Sequence, residues 1–577
     1  MIKHILKPVL FILLLLNLYP CSAQYFNANH YPQNYFAYPA EATVSLSANF
    51  GELRPNHYHM GLDCRTDKIQ NKKVLAAADG YISKVKIEPL GFGRSIYINH
   101  PNGLTTLYAH LNDFNSNLEN YVKEQQYKLK SWAVYLDIPA TLFPVQKGDS
   151  IAYSGNTGGS QGPHLHFEIR DSKTEKVLNP LLFGFPIADT IAPHISKLAL
   201  YDRQISTYEQ TPKIYTLKKI QDTFTTVPPL IIINTNRLSF GITASDRLNE
   251  STNPQGIYET VLYENDSPVV AFQIDSIGYH ETRYLNAHID YKYKSRGGSY
   301  IQHLSKLPGY HNSIYKTING DGVITINDTG VHKIKVDVKD ANGNKAVLLF
   351  NIQLAVNFTP PQSDESLTYS QQQSFHPGHI NIYENSKISF YLPANCLYDS
   401  IRFNYNESSP KQGYPIFQIH NTQVPLQDYF PITIKAATAF PDKMIMHRFA
   451  NGKNDYAKAN PVFNGKDSGW YKARFRDFGS FQLMIDTMPP VITPIGFKNN
   501  MNCSKLNRLV FVIKDNTREI KNFIATLDGN WLRFSNDKGS RFIYDFDENC
   551  TPGEHQLKIR VEDLAGNMTE QFFCFTR

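Results

Sequence analysis

Residues 158–168 have the sequence GGSQGPHLHFE, and this stretch decides how the first third of the chain folds. Side chains two positions apart on a β-strand share one face, so His164 and His166 should emerge side by side. Leu165 and Phe167 should pack on the opposite face. The glycines before the strand predict a tight turn above it. Two imidazoles beneath such a turn make a poor hydrophobic core, so the stretch predicts a functional site on a strand.

Two further segments carry side chains that bind metals or transfer protons. Residues 59–63 have the sequence HMGLD and residues 108–111 have the sequence YAHL. Apolar residues that alternate between glycine turns, as at 74–82 and 93–98, predict short strands around these segments. The one helical candidate in this part of the chain is 115–132. The first third is therefore predicted to be mainly β.

These segments, in this order, resemble the lysostaphin-type zinc endopeptidases, also called the LytM-like family, whose signatures are His-x-x-x-Asp and His-x-His. The resemblance covers about residues 45–183 and extends to AAADG at 76–80, KGD at 147–149 and Asn179-Pro180. It implies an antiparallel β-sheet catalytic domain. It also implies a site composed of zinc ligands His59, Asp63 and His166, with His110 and His164 acting on the reacting water and carbonyl.

The implied ligand set suits a catalytic zinc ion better than a structural one. Two imidazoles and one carboxylate leave one position of a four-coordinate zinc open for water. His110 and His164 lie outside that set and are expected to accept a proton from the water, stabilise the oxyanion and return a proton to the leaving amine. Which of the two histidines is the base is left open.

Four nearby residues are expected to play other roles. His57 should line the substrate cleft or contact the ligands, and His100 should end a strand. Cys64 directly follows Asp63, so on an extended chain it should face away from the metal as a buried thiol. Arg54 is expected either to recognise a substrate carboxylate or to brace a loop.

The sequence departs from the compact family pattern at residues 112–145, directly after the segment that contains His110. This insertion contains the helical candidate and the aromatic residues Trp132, Tyr135 and Phe143. A segment that leaves a catalytic histidine should border the cleft, so the insertion is expected to wall the cleft. The alternative is a surface insertion that only packs on the next module.

Strands alternate with turns rich in Asn, Asp, Gly and Pro behind residue 188. Two stretches match each other, GVHKIKVDVKDANGN at 330–344 and GEHQLKIRVEDLAGN at 553–567. Their period-two apolar positions predict strands, and the Gly-Asn pair predicts the turn of a hairpin. Each copy is expected to close an immunoglobulin-like β-sandwich.

A second repeated pattern, Asp-Thr-x-x-Pro, begins at Asp189 and at Asp486, with a weaker echo at 359–361. Proline fixes φ and removes a backbone donor, so the pattern suits the entry to a module. The middle module is predicted to be a divergent sandwich or several linked strands. The predicted divisions are a signal peptide at 1–23, an amino-terminal zinc peptidase domain at 24–188, a first β-sandwich module at 189–356, a middle β-rich module at 357–485 and a last immunoglobulin-like module at 486–577.

Residues 1–23 combine a basic start, a short apolar run and small residues before Gln24, which is the pattern of a signal peptide. The apolar run is shorter than the ~20 residues that span a bilayer. A lipoprotein acylated at Cys21 is disfavoured by Pro20. We therefore expect export to the periplasm or cell envelope, or secretion, with no transmembrane span after cleavage. The net charge of +6 is spread along the chain, so nucleic acid is not an expected partner.

The favoured function is an exported zinc metalloendopeptidase that hydrolyses amide bonds in peptidoglycan stem or cross-link peptides. One alternative is a noncatalytic or partner-activated scaffold that regulates cell-wall hydrolysis. Another is a zinc endopeptidase with a protein substrate, because fold and metal chemistry do not determine the substrate. The sandwich modules are candidates for docking a cell-envelope protein. All five residues of the implied site are present, which favours the enzyme.

Overall fold

The computed structural model describes residues 25–26, 30–249, 251–358, 373–464, 467–539 and 541–577. The predicted signal peptide and the echo at 359–361 lie outside these ranges. The described chain is mainly β, as predicted, and its longest helix is Ser116–Leu129. No helix in the described ranges is long and apolar enough to cross a membrane.

One antiparallel sheet forms the centre of the amino-terminal domain. Its strands, in order across the sheet, are Leu46–Ala48, Leu62–Arg65, His164–Asp171, Leu104–Ala109, Arg94–Asn99, Gly80–Ile87 and Val134–Asp137, with Pro144–Val145 pairing to Gly80–Ile87 and Val177–Leu178 pairing to His164–Asp171. Two small sheets flank it, made of Lys73–Leu75, Ser150–Ser154 and Leu111–Phe114, and of Leu53–Arg54 and His57–Tyr58. The turn Pro180–Phe183 is a 3₁₀-helix.

The helix Ser116–Leu129 confirms the helical candidate. It begins where the Asn115 side chain accepts a hydrogen bond from the Leu118 backbone N–H at 3.1 Å, and it ends at Lys130 in the left-handed conformation. Leu118 and Val122 on its inner face are buried against the amino-terminal sheet. The predicted spacing of apolar residues therefore describes the buried face correctly.

The outer face of this helix packs on the last module. The rings of Tyr127 and Trp531 meet edge to face with centroids 5.2 Å apart. Lys123 lies 3.0 Å from the Asp547 carboxylate, and Arg533 donates to the Gln126 side chain at 3.1 Å. The insertion thus packs on the last module. The alternative expectation, that it packs on the module that follows it in sequence, is not what the structure shows.

The first module combines two sheets that share the strand Lys213–Ile220. One contains Gln302–His303, Arg237–Ser245, Ile324–Thr325 and His194–Asp202; the other contains Thr223–Ile233, Lys345–Leu354, Val331–Lys339, Glu259–Glu264, Ser267–Gln273 and Tyr315–Thr317. The predicted hairpin at the Gly343 turn joins Val331–Lys339 to Lys345–Leu354. The connections contain the short helices Thr207–Glu209, Thr282–Tyr284, Leu285–His288 and Tyr291–Ser295.

The middle module is built of two five-stranded sheets and one strand pair. The sheets contain Asn381–Glu384, Ile388–Leu392, Pro425–Lys435, Asp467–Asp477 and Asn460–Asn464, and then Tyr405–Ser408, Ile416–Ile419, Gly479–Ile485, Met444–Ala450 and Lys453–Lys458. The pair is Ser374–Phe375 with Ile401–Arg402, and Pro441–Lys443 is a 3₁₀-helix. This layered arrangement favours the sandwich over a set of linked strands.

The last module has a three-stranded and a five-stranded sheet around one core. The strands are Val491–Ile495, Arg508–Lys514 and Arg541–Asp545, and then Met501–Asn502, Met568–Thr576, Glu554–Asp563, Ile520–Leu527 and Asn530–Trp531. Phe511 from one sheet and Val561 from the other belong to the same buried cluster. The module is therefore a β-sandwich, in which the predicted Gly-Asn hairpin joins Glu554–Asp563 to Met568–Thr576.

Packing crosses the predicted boundary at residue 188. Phe50, Tyr58 and Met60 are buried in the hydrophobic core of the first and middle modules, separate from the core of their own sheet. The strand Val177–Leu178 also pairs with Ser276–Ile277 of the first module. The first module therefore covers one side of the amino-terminal domain.

A fragment of residues 24–188 should consequently be unstable, although the motif positions alone favour independent folding. Removing the modules exposes Phe50, Tyr58 and Met60, and burial of each such side chain stabilises the fold by about 1.5–3 kcal/mol. Extension to residue 485 should restore a cooperative thermal transition in circular dichroism. A 24–188 fragment that melts as cooperatively as the 24–485 fragment would show that this shared core is dispensable.

Candidate active site

Three predicted ligand residues meet at one point beneath the cleft. The His59 Nε2 atom lies 2.9 Å from Asp63 Oδ1 and 3.1 Å from His166 Nδ1, and His166 Nδ1 lies 2.9 Å from the same Asp63 oxygen. All three residues are buried. The structure therefore brings together the three side chains that the sequence selected as a metal-binding set.

Strand pairing places these residues side by side. In the antiparallel pair of Leu62–Arg65 with His164–Asp171, His166 is directly opposite Asp63. Gly61 makes the close approach possible, because a Cβ atom there would lie 2.4 Å from the Phe167 carbonyl oxygen. The glycine of the HMGLD segment is thus required by the packing of the site.

Hydrogen bonds orient both imidazoles with a lone pair towards the shared point. The His59 Nδ1 atom lies 2.7 Å from the Asn49 carbonyl oxygen, which can only accept, so Nδ1 carries the hydrogen and Nε2 is free to bind. The His166 Nε2 atom donates to Glu168 Oε1 at 3.0 Å, which leaves His166 Nδ1 free. Such a partner on the far nitrogen is the usual arrangement for a metal-binding histidine.

The electrostatics of the site favour a positive charge at this point. Burial acts to raise the pKa of the Asp63 carboxyl, but His59, His164 and His166 together outweigh it and hold the pKa well below its usual range. Burial lowers the pKa of His59 to about 4, so this imidazole is neutral. Burial also acts to lower the pKa of His166, but hydrogen bonds to Asp63 and Glu168 raise it to about 9.

The donor set fits a tetrahedral metal ion. Nitrogen and oxygen ligands of zinc lie at about 2.0–2.2 Å, so two neighbouring tetrahedral ligands are roughly 3.3–3.5 Å apart. The observed separations of 2.9, 2.9 and 3.1 Å need only a small expansion to reach that value. Without an ion, the raised pKa of His166 places a proton on Nδ1 that bridges to Asp63 Oδ1, and a bound cation would take the place of that proton.

His110 and His164 stand beside the three ligands on the cleft side. Their ring centroids are 4.9 Å apart, and the His164 Nε2 atom lies 3.5 Å from Asp63 Oδ1. His110 follows the strand Leu104–Ala109 with φ of 61°, a conformation that is uncommon outside glycine and often found at functional sites. The five residues of the predicted set therefore form one cluster.

The neighbouring residues largely occupy the predicted places. Arg54 donates to Asp63 Oδ2 at 2.6 Å, so it braces a ligand, while His57 lines the cleft. Cys64 is fully buried, and His100 is held by Thr106 and the Asp79 carbonyl away from the site. All five cysteines of the described chain are free thiols.

Sequence reasoning missed the group of residues behind His166. Glu168 accepts from Arg170 at 2.7 Å and from the Tyr279 hydroxyl, and Tyr279 belongs to the first module. Burial acts to raise the pKa of Glu168, but Arg170, His166 and Tyr279 lower it to about 2, so the carboxylate stays charged. Glu168 and Arg170 follow the HLH segment at spacing two, which places them on the face of His166. No sequence signal pointed to Tyr279.

The site opens into a cleft of about 920 Å³ whose lining includes Arg54, His57, His110, Ser160 and His164. None of the lining residues of the described chain comes from 112–145. The prediction that this insertion walls the cleft is therefore wrong, because its helix turns outward to meet the last module. The last module, and not the insertion, contacts the rim of the cleft.

The last module holds the glycine-rich turn at the rim of the cleft. Asp537 accepts a hydrogen bond from the Gly158 backbone N–H at 2.7 Å, and Lys538 donates to the Ser160 carbonyl oxygen at 2.8 Å. Thr157 in the same turn is the residue whose carbonyl oxygen contacts His110 Nδ1, at 2.9 Å. The last module therefore stabilises the turn that also positions His110, although the two are almost four hundred residues apart in the chain.

Comparison with known proteins divides the chain into matched and unmatched parts. Residues 57–127 and 143–180 match the model of peptidase family M23, and residues 372–486 match the Zu5-like domain. The gap at 128–142 lies within the insertion. The catalytic domain of lysostaphin from Staphylococcus simulans is 22% identical, with 23% of this chain and 87% of that chain covered and a TM-score of 0.18.

Two curated relatives match the amino-terminal domain. An uncharacterized metalloprotease of Haemophilus influenzae is 32% identical over 158 residues, which cover 26% of this chain and 27% of the relative. The DD-carboxypeptidase/endopeptidase Mpg of Neisseria meningitidis is 33% identical over 128 residues, 22% of this chain and 23% of the relative. The match spans about a quarter of the length of these relatives. Residues 57–127 and 143–180 of this chain are therefore similar to peptidase family M23, in agreement with the lysostaphin-type resemblance.

Proposed function

We propose that this protein is an exported zinc metalloendopeptidase that hydrolyses amide bonds in peptidoglycan stem or cross-link peptides. The observation that carries the proposal is the convergence of His59 Nε2, Asp63 Oδ1 and His166 Nδ1 beside the imidazoles of His110 and His164. These three atoms would hold the zinc ion. When bound, zinc acidifies a water molecule and polarises the scissile carbonyl.

His110 and His164 are oriented for proton transfer. His110 Nδ1 lies 2.9 Å from the Thr157 carbonyl oxygen and His164 Nδ1 lies 2.8 Å from that of Gly162. Because a carbonyl oxygen only accepts, each ring carries its hydrogen on Nδ1 and keeps a basic Nε2. Burial, with His166 and His164 nearby, lowers the pKa of His110 to about 3, so this ring is neutral.

The chemistry then divides between these side chains. One histidine takes the proton of the attacking water at Nε2, and the protonated ring can return it to the leaving amine. The other, as a donor in its protonated form, stabilises the negative charge that develops on the carbonyl oxygen. Arg54 keeps the Asp63 carboxylate oriented through its 2.6 Å hydrogen bond. The geometry is compatible with either histidine as the base.

The substrate class rests on the relatives. The Neisseria relative is named a DD-carboxypeptidase/endopeptidase, and a further relative, from Caulobacter vibrioides, is named the cell division protein DipM. Peptides of the cell wall are the substrate that fits these names. An open cleft of about 920 Å³ offers room for an extended peptide.

Digestion of purified peptidoglycan should release peptide-linked fragments that are identified by mass spectrometry. We expect release by the mature protein, loss of release after removal of zinc with a chelator, and recovery when zinc is restored. His379→Ala, which alters an exposed histidine of the middle module, is the matched control and should digest normally. Zinc-loaded protein that cleaves casein but no cell-wall peptide would point to a protein substrate. Cleavage of neither would favour a noncatalytic scaffold.

A further inference from the structure

Two trios of aspartates occupy corresponding places in the first and last modules. Within each trio, one carboxylate oxygen from every residue lies within 4.8 Å of the others. The first trio consists of Asp189, Asp246 and Asp340, and the second of Asp486, Asp515 and Asp563. Neither trio contributes a residue to the metal-binding cluster or to the lining of the cleft, and the proposed function uses neither.

Each trio is assembled from the same three parts of a module. One member opens the Asp-Thr-x-x-Pro pattern where the chain enters the module. The second follows a core strand, Arg237–Ser245 or Arg508–Lys514. The third opens the Asp-x-x-Gly-Asn turn of the closing hairpin. The two sequence patterns that mark the module boundaries therefore meet in space.

The asparagine of each hairpin turn braces its trio in the same way. Asn344 Nδ2 donates to the Asp340 carboxylate at 2.7 Å and to the Asp189 carbonyl oxygen at 3.2 Å. Asn567 Nδ2 donates to the Asp563 carboxylate at 2.8 Å and to the Asp486 carbonyl oxygen at 3.0 Å. The same pair of hydrogen bonds recurs in both modules, so the arrangement of each trio is a repeated structural feature.

Both trios contain buried carboxylate oxygens without a hydrogen-bond partner among the described residues. Asp246 is 3% exposed and Asp486 is 2% exposed. Asp246 Oδ1 and Asp486 Oδ2 are enclosed, and no donor within the described chain reaches them. Buried carboxylate oxygens are normally paired, so such an orphan indicates a missing ligand. The neighbouring groups are other carboxyls, so the ligand that fits these oxygens is a cation.

Among the described residues, no Lys, Arg or His side chain forms an ion pair with an aspartate of either trio. Lys443 and Lys458 approach the second trio but donate to the backbone carbonyls of Gly566 and Ala565. Burial, followed by the charges of Asp189 and Asp340, raises the pKa of Asp246 to about 8. Without a cation, a proton on Asp246 relieves the repulsion within the first trio.

We propose that each trio binds a calcium ion that clamps the chain at the entry to its module. Calcium binds oxygen ligands at about 2.3–2.6 Å, so two oxygens on one ion can be up to roughly 4.6–5.2 Å apart, and the three oxygens of each trio, all within 4.8 Å of one another, are close enough to share an ion. Zinc prefers nitrogen and sulfur donors, which both trios lack. Asp189 and Asp486 lie at the junctions with the preceding domain and module, so each ion would stiffen a junction.

Isothermal titration of the full-length, zinc-loaded protein with calcium chloride tests the proposal. We expect about two calcium ions per chain, with affinities in the range of extracellular calcium modules, about 10⁻⁴–10⁻³ M. Asp246→Asn should lose one ion, Asp515→Asn the other, and the double variant both. Asp266→Asn, an exposed aspartate paired with Lys333 outside the trios, is the control and should retain both. Wild-type protein that takes up no calcium, or takes up magnesium in its place, overturns the proposal.

Thermal melting separates ion binding from a purely structural role. Calcium at about 100 times its dissociation constant should raise the melting temperature of the wild type by about 5 °C or more. Without calcium, Asp246→Asn and Asp515→Asn should melt at or above the wild-type temperature, because a buried amide needs neither a proton nor a cation to neutralise it. With calcium they should melt below it. Variants that are destabilised equally with and without calcium would show that the aspartates only brace the turn.

Discussion

Replacing His110 or His164 with alanine should lower the rate of peptide hydrolysis by about 10²- to 10³-fold while the protein keeps about one zinc ion per chain. Both imidazoles present a free Nε2 beside the three proposed ligands, and neither is needed to hold the ion. The loss should appear in kcat, because these side chains act on the water and on the developing oxyanion. Zinc content by atomic absorption and turnover of a defined peptide are the two measurements.

His57→Ala provides a comparison from the same cleft. His57 lines the cleft, but its Nδ1 is bound to the Pro55 carbonyl oxygen at 2.8 Å, and it is not part of the five-residue cluster. Its replacement should affect KM more than kcat, since it can contact only the substrate. Zinc loss by His110→Ala or His164→Ala would mean that the division between ligands and proton-transfer groups is wrong. Equal losses of kcat in all three variants would assign no special role to the pair.

Strand geometry predicted that His164 and His166 share a face, whereas the full ligand set was implied by the resemblance to the lysostaphin-type endopeptidases. A period of two places His164 and His166 on one face, and antiparallel pairing then brings Asp63 opposite His166. These are short-range consequences of the sequence. The residues that orient the site's side chains were harder to predict. Asn49 accepts from His59 through its backbone carbonyl, and Tyr279, which donates to Glu168, belongs to another module.

The arrangement of the modules could not be derived from periodicity. Alternating residues in 553–567 predict a hairpin, which the structure confirms, but they contain no information on where the module docks. Docking depends on surface pairs such as Tyr127 with Trp531 and Lys123 with Asp547, each of which looks like an ordinary exposed residue in sequence. For the same reason, the aromatic residues of the insertion suggested a cleft wall, whereas its helix faces the last module.

Replacing His166 with alanine should remove zinc almost completely, because this imidazole is one of the three proposed protein ligands. Its loss also leaves Asp63 and Glu168, both charged, without the ring that now links them. Glu168→Gln keeps the ligand but weakens the acceptor that orients its far nitrogen, and should lower zinc affinity by about 10- to 100-fold. Competition with a zinc-binding dye measures both effects.

The order of the losses tests the assignment more sharply than either variant alone. We expect the dissociation constant to rise most for His166→Ala, less for Glu168→Gln and not at all for the exposed control His379→Ala. Tyr279→Phe removes only the hydroxyl that donates to Glu168, so it should fall between Glu168→Gln and the control. This order of dissociation constants is expected only if the Tyr279 hydroxyl orients Glu168 and Glu168 in turn orients the His166 ring. If His166→Ala binds zinc as tightly as the control, His166 is not a ligand and the proposed centre must lie elsewhere.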